Sequence, residues 1–152
     1  MLVFVPVAAA DLPTWAGGRP REVTGFAATP DFLSTFALTA PEAEETELTM
    51  LEIAALEALR RYGRRLVVVC SASTTAAEPA EFGAVAAAAV PWTRVSSVFA
   101  DDTRGAEAAR AVARSLAGTS LADAWDLPGV IELVEGVELL WHGSSEWERL
   151  TD

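Results

Sequence analysis

Short apolar runs separated by turn-forming residues recur along the chain and predict buried strands. Residues 2–7 form such a run before Asp11 and Pro13, and residues 66–70 form a continuous run rich in valine. An apolar run without alternating polar positions is typical of a strand buried on both faces. We expect both segments to lie inside a sheet, with residues 66–70 near its middle.

Three further segments show weaker strand patterns. Residues 22–28 and 95–100 have strand-like apolar patterns, while the alanine-rich residues 84–90 fit a strand or a helical turn equally well. Two apolar runs within residues 130–141 are separated by Glu135 and Gly136, which predicts a closing hairpin with a two-residue turn.

The longest helix predicted by apolar spacing follows residues 39–42, whose Thr-Ala-Pro-Glu sequence matches a capping box. Glutamates gather near its start and arginines near its end at Gly63, where each charge complements the helix dipole. Its predicted buried face consists of Leu48, Leu51, Ala55, Leu59 and Tyr62.

Capping residues predict two of the shorter helices. Thr29 precedes Pro30 in the pattern of an N-cap followed by proline, and Asp102 or Thr103 can cap a helix that stops at Gly118. Further short helices are expected around Trp15, at residues 121–127 and after Ser144.

This order mixes βαβ crossovers with strands that are adjacent in sequence. We therefore predict an α+β fold with a single mixed β-sheet of about five or six strands and helices packed on it. The chain length of 152 residues suits a single globular domain over residues 1–152.

Composition and charge narrow the functions. The chain has no lysine, asparagine or glutamine and has one cysteine, which removes lysine-based catalysis and internal disulfides. Its net charge of −11 disfavours nucleic acid and anionic membrane surfaces as partners. No run of residues is long enough for a membrane span, no signal peptide is apparent, and a cytoplasmic location without a cofactor is expected.

Polar residues at three predicted strand ends form the sharpest catalytic hypothesis. Ser71 and Ser73 follow one strand, Asp101 and Asp102 follow another, and His142 follows Trp141. If these strands ran parallel, their ends would meet at one edge of the sheet. The serine would then be the nucleophile, the aspartate the orienting group and the histidine the base, in the chain order of α/β-hydrolases. No G-x-S-x-G elbow is present, so loop, capping and edge-strand roles are the simpler interpretation.

A metal site and a reactive thiol are two further hypotheses, and structural roles explain the same residues more simply. Glu44 and Glu47 could join the aspartates or His142 around a hard cation, but helix capping explains these glutamates without a metal. Cys70 lies in the buried run and is expected to be a core residue.

Five tryptophans are many for this length, and tryptophan is enriched at interfaces. Trp92, after Pro91, and Trp147, on a short C-terminal turn, are the predicted contact residues. The alternative is that all five line the edges of the core.

Several short segments together resemble a known family. These are the opening Leu-Val-Phe-Val-Pro at residues 2–6, Gly-Phe-Ala-Ala-Thr-Pro at 25–30, the acidic start of the long helix, and Glu-Leu-Leu-Trp at 138–141. They resemble a family of small acidic proteins of unknown function from high-G+C bacteria, over nearly the whole chain. The resemblance implies a shared fold and supplies no catalytic residues.

The sequence therefore favours a non-enzymatic cytoplasmic protein that acts through protein contacts, with another protein or a second copy of itself as the partner. The alternative is a small hydrolase or ligand-binding enzyme that uses the Ser/Asp/His edge.

Overall fold

A computed structural model describes residues 1–151 and places seven strands of that range in one open sheet. The strands are β1 (Leu2–Pro6), β2 (Arg21–Phe26), β3 (Leu66–Ser71), β4 (Thr75–Ala76), β5 (Ala84–Val90), β6 (Val95–Ala100) and β7 (Leu140–Gly143). Their order is β4-β5-β2-β1-β3-β6-β7, and every neighbouring pair is antiparallel.

The single sheet with packed helices is confirmed, but the prediction of a mixed sheet of five or six strands is wrong. The mixed sheet was predicted because the order of elements indicated βαβ crossovers, which join parallel strands. All neighbouring strands are instead antiparallel, and the apolar β3 is buried because both faces of this antiparallel sheet are covered. The undecided residues 84–90 form β5, which pairs with β2 and β4.

Six α-helices and four 3-10 segments lie within residues 1–151. The helices are α1 (Leu12–Ala16), α2 (Pro30–Thr35), α3 (Glu44–Tyr62), α4 (Thr103–Ala113), α5 (Leu121–Trp125) and α6 (Pro128–Gly136). The 3-10 segments are Ala9–Asp11, Ala80–Phe82, Trp92–Arg94 and Ser144–Leu150. None of the helices in the described range is long and apolar enough to cross a membrane.

Two hydrophobic cores lie on opposite faces of the sheet. On one face, Phe4 and Val67 pack with Ile53 of α3 and with residues of α2, α4, α5 and α6. On the other face, Val68 packs with Trp15 of α1 and with parts of the 3-10 segments. Alternate residues of β1 and β3 therefore enter different cores, which explains their uninterrupted apolar sequence.

Helix α3 ends as predicted but begins later. Gly63 follows it in the left-handed conformation with φ +74°. Its N-cap is Ala43 without a side-chain hydrogen bond, so the predicted capping box is wrong. The predicted buried face is wrong at both ends, since Leu48 is 54% exposed and Tyr62 is 36% exposed.

The two predicted caps of the shorter helices are confirmed. The Phe32 N–H donates to Thr29 Oγ1 at 3.2 Å before α2, and the Gly105 N–H donates to Asp102 Oδ1 at 2.7 Å at the start of α4. Both side chains satisfy backbone donors that a helix leaves unpaired in its first turn.

The predicted hairpin over residues 130–141 is wrong. Residues 128–136 form α6, and only the end of the segment continues into a strand, β7. Pro128 stands at the favoured first position of the helix, and Val130, Leu133 and Val134 recur at helical spacing. The Glu135–Gly136 pair is thus the last turn of a helix.

A buried ion pair joins the end of α4 nearest the sheet to β3. Arg65 and Asp101 have side chains that are 4% and 1% exposed, and Arg65 Nε donates to Asp101 Oδ2 at 2.9 Å. A second guanidinium nitrogen donates to the other carboxylate oxygen and to the Val137 carbonyl at 3.2 Å. The pair therefore fixes the β6–α4 connection and the chain after α6 against the same strand.

We predict that Asp101→Asn lowers the free energy of unfolding by about 3–5 kcal/mol, because it leaves a buried guanidinium without its counter-charge. The control is Asp11→Asn, which removes the partly exposed pair with Arg21 and is expected to cost about 1 kcal/mol or less. Urea denaturation of both variants measures the difference. Equal losses would contradict a structural role for the buried pair.

A second prediction compares two glycines with the same backbone conformation, Gly83 at φ +76° and Gly63 at φ +74°. A Cβ at Gly83 would collide with the Ala27 carbonyl oxygen, whereas no atom lies within 4 Å of one at Gly63. Gly63→Ala should cost about 1–2 kcal/mol from its backbone conformation. Gly83→Ala should cost at least about 1 kcal/mol more, from the added collision. Thermal denaturation that ranks the two variants in the opposite order would disprove this account.

Candidate functional sites

The predicted Ser/Asp/His edge required parallel strands, and that condition is not met. Because β3 and β6 are antiparallel, Cys70 pairs with Val95 at one end, whereas Leu66 pairs with Ala100 at the other. Ser71 and Ser73 line a pocket with Met1 and residues 88–91. They are separated from the aspartates by the length of the strands.

Asp101, Asp102 and His142 are brought together in a second pocket of about 580 Å³, beside β7 and the start of α4. Asp101 is engaged by Arg65, and Asp102 caps α4. Within residues 1–151, His142 forms no hydrogen bond with either aspartate or with the serines. The carboxylates thus have structural partners, and neither of the predicted nucleophiles, Ser71 and Ser73, lines this pocket.

The thiol of Cys70 is fully buried, and burial raises its pKa to about 11. It therefore stays protonated at neutral pH and packs as a core side chain. Glu44 and Glu47 lie in the first turn of α3, where they complement the helix dipole. No group of three His, Cys, Asp or Glu side chains suited to a metal ion occurs among the residues described.

The two tryptophans predicted at an interface both lie at the edge of a core. Trp92 packs edge-to-face on Trp15 with ring centroids 5.3 Å apart, and Trp147 is partly buried against the same cluster. Their role in partner binding remains a prediction. The most exposed indole belongs to Trp141 on β7, at 63%.

A further concave surface was not predicted. It is a cavity of about 470 Å³ between α3, α6, Phe99 of β6 and residues 137–139. A second cavity of about 420 Å³ adjoins it and shares Glu52, Val130, Val134 and Glu135. We call the two together the acidic groove.

The groove has apolar walls and an acidic rim. Leu48 and Ile131 line it while being 54% and 44% exposed, which leaves large apolar side chains open to solvent. Four carboxylates also line it, namely Glu52, Glu135, Glu138 and Asp126. Arg65, the cation in its lining, is engaged by Asp101.

Of the four groove carboxylates, Glu52 is the partly buried one, whereas Asp126, Glu135 and Glu138 are exposed. Burial raises its pKa above the ordinary glutamate value, because the charged form loses hydration. The Glu52 carboxylate has no hydrogen-bond or ion-pair partner among residues 1–151. A cation placed in the groove would supply the missing partner.

The sequence contained part of this signal. Leu48, Leu51, Glu52 and Ala55 occur at helical spacing, but this spacing predicts a buried Leu48, whereas Leu48 is exposed. The opposite wall is not predicted, because the pattern of residues 130–141 indicates a hairpin and not α6.

Comparison with known proteins identifies the family of this chain. No curated protein and no solved structure matches the chain. The sequence profile of one family matches residues 1–151, which confirms a family of unknown function and leaves the expected acidity and bacterial group of that family untested. The chain belongs to DUF6912, a family of unknown function.

Proposed function

We propose that this chain is a cytoplasmic, non-enzymatic protein that acts through protein contacts, and that the acidic groove is its main contact surface. The observation that carries the proposal is the exposure of Leu48 and Ile131 inside a concave, carboxylate-rimmed surface. Exposed apolar side chains in a groove with a polar rim are typical of surfaces that bind another chain.

The groove favours a basic, amphipathic helix of a partner protein. Its two long walls are helices α3 and α6, an arrangement that can receive the apolar side of a third helix. The rim carboxylates then lie where lysine or arginine side chains of the partner would stand. A second copy of this chain would bring a net charge of −11 to the same surface, so charge disfavours self-association there.

The hydrolase alternative has less support. Its serines line a different pocket from Asp101 and His142, and Asp101 is held by Arg65. The groove itself presents carboxylates and apolar side chains, with no cysteine, serine, threonine or histidine in its lining to act as a nucleophile or an imidazole base.

The groove proposal predicts selective binding of a short amphipathic helical peptide of leucine and lysine, measured by fluorescence anisotropy. Glu135→Lys should weaken this binding at least about tenfold, because it reverses a rim charge next to the bound cations. The matched control is Glu132→Lys, on the same helix and exposed but outside the groove, which changes the net charge equally. It should retain nearly all of the affinity.

Two outcomes would overturn the proposal. One is an equal loss in both variants, which would mean that the peptide senses only the overall charge. The other is equal binding of a leucine and glutamate peptide, which would mean that the acidic rim has no selective role.

The desolvation of Glu52 predicts a pH-dependent stability. Its folded-state pKa is raised, so the folded chain holds this proton more tightly than the unfolded chain does. The free energy of unfolding therefore falls as the pH rises from the unfolded pKa through the folded one. Glu52→Gln removes this titration, so the variant should be more stable than the parent at about pH 7. The difference in free energy of unfolding between the two should be smaller at about pH 4.

Denaturant titrations at both pH values measure the effect, with Glu132→Gln as the exposed control. A Glu52→Gln variant no more stable than its parent at neutral pH would show that the half-buried Glu52 carboxylate has no desolvation cost.

A further inference from the structure

The outer edge of β7 is the second surface that lacks a partner within the described chain. Among residues 1–151, β7 is the last strand of the sheet and pairs only with β6. Trp141 and Leu140 are 63% and 44% exposed, on opposite faces of this strand. An unpaired strand edge with large apolar side chains is a template for pairing with another strand.

The backbone of Trp141 is directed toward that free edge. The N–H of Gly143 donates to Glu146 Oε2 at 2.7 Å, so this residue does not use its N–H for pairing with β6. In an antiparallel strand, residues two apart direct their N–H and C=O groups to the same side. Trp141 therefore shares the outward direction of Gly143, while Leu140 and His142 face β6.

The charge distribution permits a second copy at this edge. Residues 139–145 carry no formally charged side chain, in a chain with 33 charged residues out of 152. Glu138 and Glu146 stand at the two limits of this neutral segment. Two such segments can approach without placing like charges opposite each other, which would destabilise a strand pair.

We propose that β7 pairs antiparallel with β7 of a second copy, about a two-fold axis through Trp141. Residues opposite each other in an antiparallel pair point to the same face, so such an axis must place a residue opposite itself. Trp141 can be this residue, because its backbone N–H and C=O groups face outward and its indole is exposed. It would exchange two backbone hydrogen bonds with Trp141 of the partner subunit, and the two indoles would pack together.

This surface is independent of the acidic groove, although both lie near the same end of the sheet. Trp141 lies opposite Phe99 of β6, and Phe99 lines the groove. The Trp141 indole therefore projects from the same face of the sheet as Phe99, the face covered by α3 and α6. The strand edge is short, and the dimer is accordingly a weak one. The net charge of −11 on each copy opposes association and is screened by salt.

Sedimentation velocity over a range of protein concentrations, at low and high salt, tests the proposal. The unmodified chain should form a dimer whose affinity increases with salt. Trp141→Lys should weaken it at least about tenfold, because it removes the indole pair and places two cations opposite each other. Trp141→Phe should retain most of the association.

Ile131→Lys is the control, because it makes the same kind of change at an exposed apolar residue of α6 inside the groove. It should leave the dimer unchanged, and circular dichroism should show that all variants are folded. The proposal is overturned by a chain that stays monomeric at high concentration and high salt, or by a Trp141→Lys variant that dimerises normally. Loss of the dimer in Ile131→Lys would assign self-association to the groove instead.

Discussion

The two central strands, β1 and β3, carry apolar side chains on both faces, and both faces must be covered for the sheet to be stable in water. The 19-residue α3 packs on one face, together with α2, α4, α5 and α6. Short 3-10 segments and α1 cover the other. On the first face, the cavities between α3 and α6 leave an open groove.

The buried Arg65–Asp101 pair connects this covering layer to the sheet. Arg65 immediately precedes β3, Asp101 immediately follows β6, and the same guanidinium holds the Val137 carbonyl after α6. The pair thus sets where the chain leaves the groove wall and enters β7. A carboxylate that suggested catalysis in the sequence has a positional role that fixes the end of the groove and the start of the edge strand.

Local patterns in the sequence predicted local structure well, because caps and strand runs act over a few residues. Thr29, Asp102 and Gly63 were identified correctly for this reason. Strand direction was not predictable from β3, since covering both faces produces the same apolar run in parallel and antiparallel sheets. The failure at residues 130–141 came from apolar positions that fit a strand and a buried helix alike.

The candidate sites failed for a related physical reason. The Ser/Asp/His hypothesis depended on strand direction, and reversing one strand moves Ser71 to the opposite end of the sheet from Asp101. The acidic groove depends on Leu48 and Ile131 being left uncovered, which is a property of how helices pack and not of either residue's own pattern. Exposure of an apolar residue on an otherwise amphipathic helix is visible only once its neighbours are placed.

The strong negative charge acts differently on the two unpartnered surfaces. In the groove, carboxylates surround apolar walls, and one of them, Glu52, is partly desolvated without a cation beside it. The proposed basic partner would bury apolar side chains against these walls and pair its cations with the carboxylates. At the β7 edge, the neutral residues 139–145 remove the local repulsion that the net charge would otherwise impose. Self-association is therefore disfavoured where the acids are concentrated and permitted where they are absent. In the two proposals above, one small acidic chain therefore uses separate surfaces for a basic partner and for a second copy of itself.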